Sequence, residues 1–182
     1  AKTVLVMNGG QVAMYAPTPE VFSRAEELRA KYPARKIVVV DSLAASMGEG
    51  LLVYYADENR KAGMSLDDNA QWLEENKLHL AHWFTVDDLN HLKRGGRVSG
   101  PAATIGSILG LCPIMRLDDR GRIIAYDKAR GKKAAVRTTV DMMAAHAVGG
   151  TDYSGKCWIC HSNCLEQAES TRDAVRARFP HV

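Results

Sequence analysis

The run Lys36-Ile37-Val38-Val39-Val40 constrains the fold more than any other stretch of the chain. After Lys36 it is apolar without alternation and it ends at Asp41-Ser42. A strand with one wet face alternates polar and apolar residues, whereas a strand buried on both faces does not. Thr3-Val4-Leu5-Val6-Met7, ending at Gly9-Gly10, is a second run of the same kind. Between them Thr18-Pro19-Glu20 opens a helix, with Thr as N-cap, Pro at the first helical position and Glu in the first turn. Val21, Ala25 and Leu28 share one face of that helix, which stops near Tyr32-Pro33. Continuous apolar strands joined by amphipathic helices predict an α/β fold, with a largely parallel sheet and helices flanking both faces.

The pattern changes along the chain. Ala44 to Lys61 reads as a helix whose start is rich in small residues, Ala44, Ala45, Ser46, Gly48 and Gly50. Ser65-Leu66-Asp67-Asp68 resembles a capping box for the next helix. His79 to Val86 reads as a third strand, followed by a helix that Thr85 and Asp88 cap. Pro101 to Gly110 is small and apolar, a short helix. Cys112 to Leu117 and Arg122 to Tyr126 flank Asp118-Asp119-Arg120-Gly121, a β-hairpin signal. An amphipathic helix over Ala134–Ala147, a strand at Cys157–Cys160 and a helix capped by Asn163 and running to Phe179 complete the reading. A boundary between Leu78 and Gly100 divides an α/β domain over 1–80 from a second α/β domain over 81–182, the latter of α+β pattern.

Composition narrows the classes of function. A net charge of +3 on 182 residues is no nucleic-acid footprint. No apolar run is long enough to span a bilayer, and the start carries no secretory signal, so the expected location is the cytoplasm. The four Cys form no disulfide framework: Cys112 stands alone and Cys157, Cys160 and Cys164 cluster.

Several constellations have a chemical reading beside a structural one. Phe84 to Ser99 contains Leu92-Lys93-Arg94-Gly95-Gly96-Arg97. A bend at the glycines brings two guanidiniums together for a carboxylate or phosphate, or it simply caps a basic helix end. Lys128-Ala129-Arg130-Gly131-Lys132-Lys133 sets four cations just before a helix, where they oppose its dipole and suit an anionic partner. A solvated loop is the structural alternative. Asp41-Ser42 closes a strand, and ligand crevices of doubly wound sheets lie outside such strand ends, so Ser42 is a ligand-binding candidate as well as an N-cap candidate. Cys157-Trp158-Ile159-Cys160-His161 fits a haem-attachment, redox or half-zinc pattern, with Cys164 as a further thiolate. On a strand, however, Cys157 and Cys160 face opposite ways and read as structural. His79 and His82 make poor co-ligands for the same reason, His91 reads as a helix-surface residue, and no metal site is expected. There is no nucleophile elbow, phosphate loop or dinucleotide fingerprint.

Taken in order, Asp41-Ser42 with Ser46-x-Gly48-x-Gly50, the Phe84–Ser99 block, Pro113-Ile114 and Lys128–Lys133 closely resemble the bacterial DegV family, from about Glu26 to Phe179. The resemblance implies a two-domain fold and a lipid-binding carrier rather than an enzyme. In that family a long-chain fatty acid lies in an apolar tunnel between and within the domains, and some members present its carboxylate to a fatty acid kinase that forms an acyl phosphate with ATP. The expected ligand is the fatty acid itself, with no other cofactor. The implied tunnel wall is Ile105, Ile108, Leu109 and Met115, while Ser42 remains a ligand-binding candidate from its place at the strand end alone. Arg94, Arg97 and Arg130 match family positions near the entrance and the kinase-facing surface. The family's carboxylate-binding motifs have no counterpart here. The Thr-Ser motif would lie upstream of residue 1, the Ser-Gly-Thr-Tyr loop would fall near Tyr15–Thr18, and the His-x-Gly-Pro-Gly motif would follow residue 182, so the family's N-terminal portion and C-terminal end are both expected to be missing. The alternatives are a phosphoryl-transfer component related to dihydroxyacetone kinase, and a metal or redox protein using Cys157, Cys160 and Cys164.

Overall fold

The computed structural model describes residues 3–8, 11–98 and 110–182. The chain divides into two compact units, Ala1–Leu80 and Ala81–Val182.

In the first unit β1 (Thr3–Asn8) and β2 (Gln11–Pro17) pair antiparallel. The first apolar run is therefore half of a hairpin, and Tyr15–Pro17, read from the sequence as a loop position, lies in a strand. Helix α1 spans Thr18–Lys31, where the Thr-Pro-Glu start and the Tyr-Pro stop place it. Lys36–Val40 is not a strand: it runs as unpaired backbone between α1 and α2 (Met47–Lys61). Helix α2 begins three residues later than its small-residue start suggests, because Leu43 and Ser46 take left-handed φ values of 51° and 53°. It ends in a Schellman motif, with Gly63 at φ 87° and the Met64 amide donating to the Asn59 carbonyl at 3.0 Å. Helix α3 (Leu66–Asn76) starts as its sequence requires, the Ser65 hydroxyl accepting from the Asp68 amide at 3.1 Å. Asn69 ties the two helices together by donating to the Ala56 carbonyl at 2.8 Å, and Tyr55 packs on Trp72.

The second unit is built on an antiparallel sheet in the order β3-β4-β5, comprising β3 (Trp83–Thr85), β4 (Leu111–Leu117) and β5 (Ile123–Arg130). All strand pairing among the described residues is antiparallel, so the α/β class holds while the parallel pairing expected from the sequence is not found there. The reason is local: the run that would nucleate a parallel sheet, Lys36–Val40, pairs with no strand among the described residues. Strand β3 is shorter than its apolar stretch, and His79 sits in a 3-10 turn before it. Pro113, an awkward residue for a central strand, lies beyond the last β3 pair, Thr85 with Ile114, where among the described residues β4 pairs with β5 alone.

Alternation along β4 divides the core. Met115 faces α4 (Leu89–Arg94) and packs with Leu89, Val98, Phe84 and Ile123. Ile114 faces α5 (Lys132–His146) and packs with Ala129, Ala135 and Trp83. Each of these fully buried side chains contributes about 1.5–3 kcal/mol relative to exposure. Helix α6 (Leu165–Arg178) closes over α5 through Val140, Val175 and Phe179. The segment Cys157–Cys160, expected as a strand, is irregular, and α6 begins after Cys164 rather than with an Asn163 side-chain cap.

Candidate functional site

Two regions carry the candidate residues, one in each unit. In the first unit the chain leaves Val40 and turns twice before α2. Asp41 Oδ1 accepts from the Leu43 amide at 3.2 Å and Ser42 Oγ accepts from the Ala44 amide at 3.3 Å. These are the local side-chain turns that Asp and Ser favour. Because Ser42 Oγ uses only an acceptor site here, its O–H proton has no partner among the described residues and is available to a ligand oxygen. The turn holds two non-glycine residues at positive φ, Leu43 and Ser46, each costing on the order of 1–3 kcal/mol. Sequence reasoning missed this strain; nothing in the residue types signals it, since glycine occupies neither position. It also missed Glu49, half-buried in the first turn of α2, where burial pushes its carboxyl up and the Asp41 charge adds to the effect.

In the second unit the Arg94-Gly95-Gly96-Arg97 bend is a complete helix cap. Asp88, not Thr85, starts α4, accepting from the Asn90 amide at 2.8 Å. At the other end Gly96 takes φ 69°, the Arg97 amide donates to the Leu92 carbonyl at 2.8 Å and the Gly96 amide to the Lys93 carbonyl at 2.9 Å. This is a Schellman motif, and Val98 then turns into the core beside Leu89. The two guanidiniums do not form a fork. Arg97 Nη1 folds back onto the Gly95 carbonyl, while Arg94 is exposed with no ion-pair partner among the described residues. His91, Leu92, Arg94, Gly95 and Arg97 line an open depression.

The second basic stretch is split between elements. Lys128 and Arg130 are exposed on β5, and Gly131, at φ 79°, is the N-cap of α5. Lys132 and Lys133 therefore lie inside the first turn of the helix rather than before it, and no acid accompanies them there. Lys132 reaches Asp87 at 3.2 Å, while Arg130 and Lys133 have no ion-pair partner among the described residues. A helix start with uncompensated cations is unfavourable for the helix alone.

Met115 is fully buried within the α4 cluster. Ile105, Ile108 and Leu109 lie outside the described residues. The cysteines do not converge. Cys157 packs against the α5–α6 core, where burial pushes its thiol up; Cys160 is exposed, and Cys164 precedes α6 with its amide donating to His161 Nδ1 at 3.2 Å. Among the described residues no three His, Cys, Asp or Glu side chains gather as a metal site, and no helix is long and apolar enough to cross a membrane.

Comparison with known proteins gives the family of the chain. Residues 20–182 match the family described as "Uncharacterised protein, DegV family". The chain belongs to the DegV family. A DegV domain-containing protein of Clostridium perfringens is 43% identical over 155 residues, which cover 85% of this chain and 53% of that protein. Among solved structures, DegV of Bacillus subtilis, described as a fatty acid binding protein, is 30% identical with a TM-score of 0.65, covering 88% of this chain and 56% of its own. A DegV family protein from Ruminococcus gnavus, refined with vaccenic acid, is 29% identical with a TM-score of 0.75, covering 85% of this chain and 54% of its own. A Eubacterium eligens DegV protein loaded with heptadecanoic acid reaches a TM-score of 0.82 at 18% identity, covering 90% of this chain and 58% of its own, and so supports the fold. The chain thus spans about half the length of the DegV relatives it matches.

Proposed function

We propose that this DegV chain belongs to a cytoplasmic carrier that holds a long-chain fatty acid in an apolar tunnel and presents its carboxylate to a fatty acid kinase, itself performing no chemistry. The observation that carries the reading is the likeness to the fatty-acid-binding DegV of B. subtilis over 88% of this chain. Ser42 supports it, with an O–H that has no acceptor among the described residues. A carboxylate oxygen accepting that hydrogen bond is charge-assisted, the stronger class of such bonds. Ile105, Ile108 and Leu109 are assigned to the tunnel wall. Met115, fully buried with Leu89 and Val98, is assigned to the same apolar role.

Arg94, Arg97 and Arg130 have a different role in this proposal. Arg94 and Arg130 carry charge that no carboxylate among the described residues offsets, and Arg97 holds the turn that presents Arg94. Exposed cations of this kind raise the encounter rate with an acidic partner and contribute less to the strength of the final complex. They suit the docking of a kinase, or the screening of the phosphate it transfers. The kinase supplies ATP chemistry and the carrier supplies orientation.

The test is native mass spectrometry of the protein purified from cells, followed by solvent extraction. The expected result is a stoichiometric adduct with the mass of a long-chain fatty acid, recovered in the extract. Protein of the intact mass that carries no lipid, and that takes none up from added oleate, would overturn the proposal.

A further inference from the structure

Arg116 on β4 is a cation without an answering charge. Its partners across the sheet are Trp83 on β3 and Ile124 on β5, and residues paired in this way point to the same face. By alternation it is the face that Ile114 turns to α5, opposite to Met115 and α4. Strand β5 carries a bulge here. Met115 pairs with Ala125 and Ile114 with Asp127, so Tyr126 is the extra residue. A bulge of this kind re-aims a side chain. The Tyr126 ring meets Trp83 edge-on, with centroids 5.0 Å apart at 83°, and the Arg116 guanidinium carbon lies 5.7 Å from the Tyr126 centroid. His146, in the last turn of α5, packs on Trp83 at 5.2 Å, its Nδ1–H donating to the Met142 carbonyl at 2.8 Å. Four elements thus hold one cationic and aromatic cluster.

Arg116 is half-buried, and its Nε is buried with no hydrogen-bond partner among the described residues. No carboxylate among the described residues pairs with it, and residues 1–2, 9–10 and 99–109 contain no Asp or Glu. Asp118, two positions on, is held by Arg122 and by the amides of Arg120 and Arg122. A half-buried cation with no anion is unfavourable, and the face of one ring offsets only part of that.

We propose that Arg116, Tyr126 and Trp83 form a docking site for an acidic segment of a protein partner, in which an Asp or Glu side chain pairs with Arg116 and an apolar neighbour covers Tyr126. Charge complementarity selects the acid. A guanidinium stacked on a ring keeps its in-plane N–H groups for a carboxylate, which it binds bidentately. The aromatic surface selects a protein segment over a small anion. Tyr126 is 49% exposed beside the cation, an area that inorganic phosphate does not use. Tyr, Trp and Arg together are also the residue types that dominate the energy of protein interfaces. The site lies across the sheet from the Arg94–Arg97 bend, since Met115 and Arg116 face opposite ways. It depends neither on the fatty acid nor on the Ser42 turn.

NMR titration of the labelled protein tests it with three probes: a capped hexapeptide alternating Glu and Phe, the same peptide with Gln for Glu, and inorganic phosphate. The Glu peptide is expected to shift the Arg116 Nε–H and Trp83 indole signals saturably. The Gln peptide should bind about tenfold more weakly, and Arg116→Gln should weaken the Glu peptide by about the same factor. Arg116→Lys, which keeps the charge but not the fork, should fall between. No saturable shift with the Glu peptide overturns the proposal, as does equal binding of the Gln peptide or undiminished binding to Arg116→Gln. Phosphate alone producing the same saturable shifts also overturns it, in favour of a small-anion site. Thermal unfolding of Arg116→Met separates docking from a structural role. A side chain kept for a partner should leave the free protein at least as stable when its charge is removed, so an unchanged or higher midpoint is expected. A lower midpoint would show that Arg116 serves the sheet itself, and the docking role would fail.

Discussion

The turn before α2 and the turn after α4 make an instructive pair. After α4 the left-handed position is Gly96, the helix-end carbonyls of Leu92 and Lys93 are both satisfied, and even a guanidinium folds back on the turn. Before α2 the left-handed positions are Leu43 and Ser46, with glycine at neither, and the Ser42 proton has no partner among the described residues. The first turn is what a chain adopts to end a helix at least cost. The second retains strain at two positions, each of which a glycine would relieve. Strain of this kind persists where surrounding structure or function over-determines it, so the quieter-looking sequence is the better candidate for direct contact with a ligand. The Arg-Gly-Gly-Arg block, conspicuous as a motif, is locally explained as a cap, and only the outward charge of Arg94 remains for a partner.

Exchanging the residue types breaks the comparison most sharply. Gly96→Val puts a β-branched residue at φ 69° and should cost about 1–3 kcal/mol, read as a lower thermal midpoint. Ser46→Gly, at an exposed position with no side-chain cap bond, should raise stability by about 0.5–1 kcal/mol, the relief of strain less the entropy of the added glycine. If Ser46→Gly destabilises, the strained-turn account fails.

The same two turns show what was readable beforehand. The caps of α3 and of the β4–β5 hairpin were legible because Ser65 and Asp118-Asp119-Arg120-Gly121 act through bonds to residues two to four positions away. The bend at Gly95-Gly96 was legible as a cap for the same reason. Lys36–Val40 was legible as a strand by residue type and yet is unpaired, since pairing depends on sequence-distant partners that a local pattern does not contain. The Cys157–Cys160 segment failed similarly: its apolar content serves the α5–α6 core through Cys157 rather than a sheet. Of the candidate site, Ser42 could be named from its place after the run, but the φ values that hold it had no residue-type signature.

Smaller effects separate ligand from partner. Ser42→Ala removes a hydrogen bond to a charged group and should weaken fatty acid binding about tenfold, roughly 1.4 kcal/mol, in a displacement titration. Its thermal midpoint without ligand should move little, since only the bond from the Ala44 amide is lost. Arg94→Glu should leave fatty acid affinity unchanged and slow association with the kinase, more so at low ionic strength. Equal loss of ligand affinity in both variants would erase the distinction between the two turns.

The weakest effects come from acid, and they run in opposite directions in the two units. Asp118 accepts from the Arg122 guanidinium at 2.7 Å and from the Arg120 and Arg122 amides at 2.9 Å, and the Arg122 bond above all holds its carboxyl down at about 2. A carboxylate lowered on folding stabilises the fold at pH above its usual 3.8, and that contribution is lost as pH falls through about 2. Glu49 has the opposite sign. Burial raises its carboxyl above the usual 4.5, so the folded state holds the proton more tightly than the unfolded one. Its charge therefore costs stability at higher pH, and that cost is relieved as pH falls through the raised value. Thermal midpoints measured downward from neutral pH should show Glu49→Gln flattening the first part of the profile, above pH 4.5, and Asp118→Asn flattening the later fall below pH 3.8. A single variant that flattens both parts would mean that the two carboxyls do not titrate in separate environments.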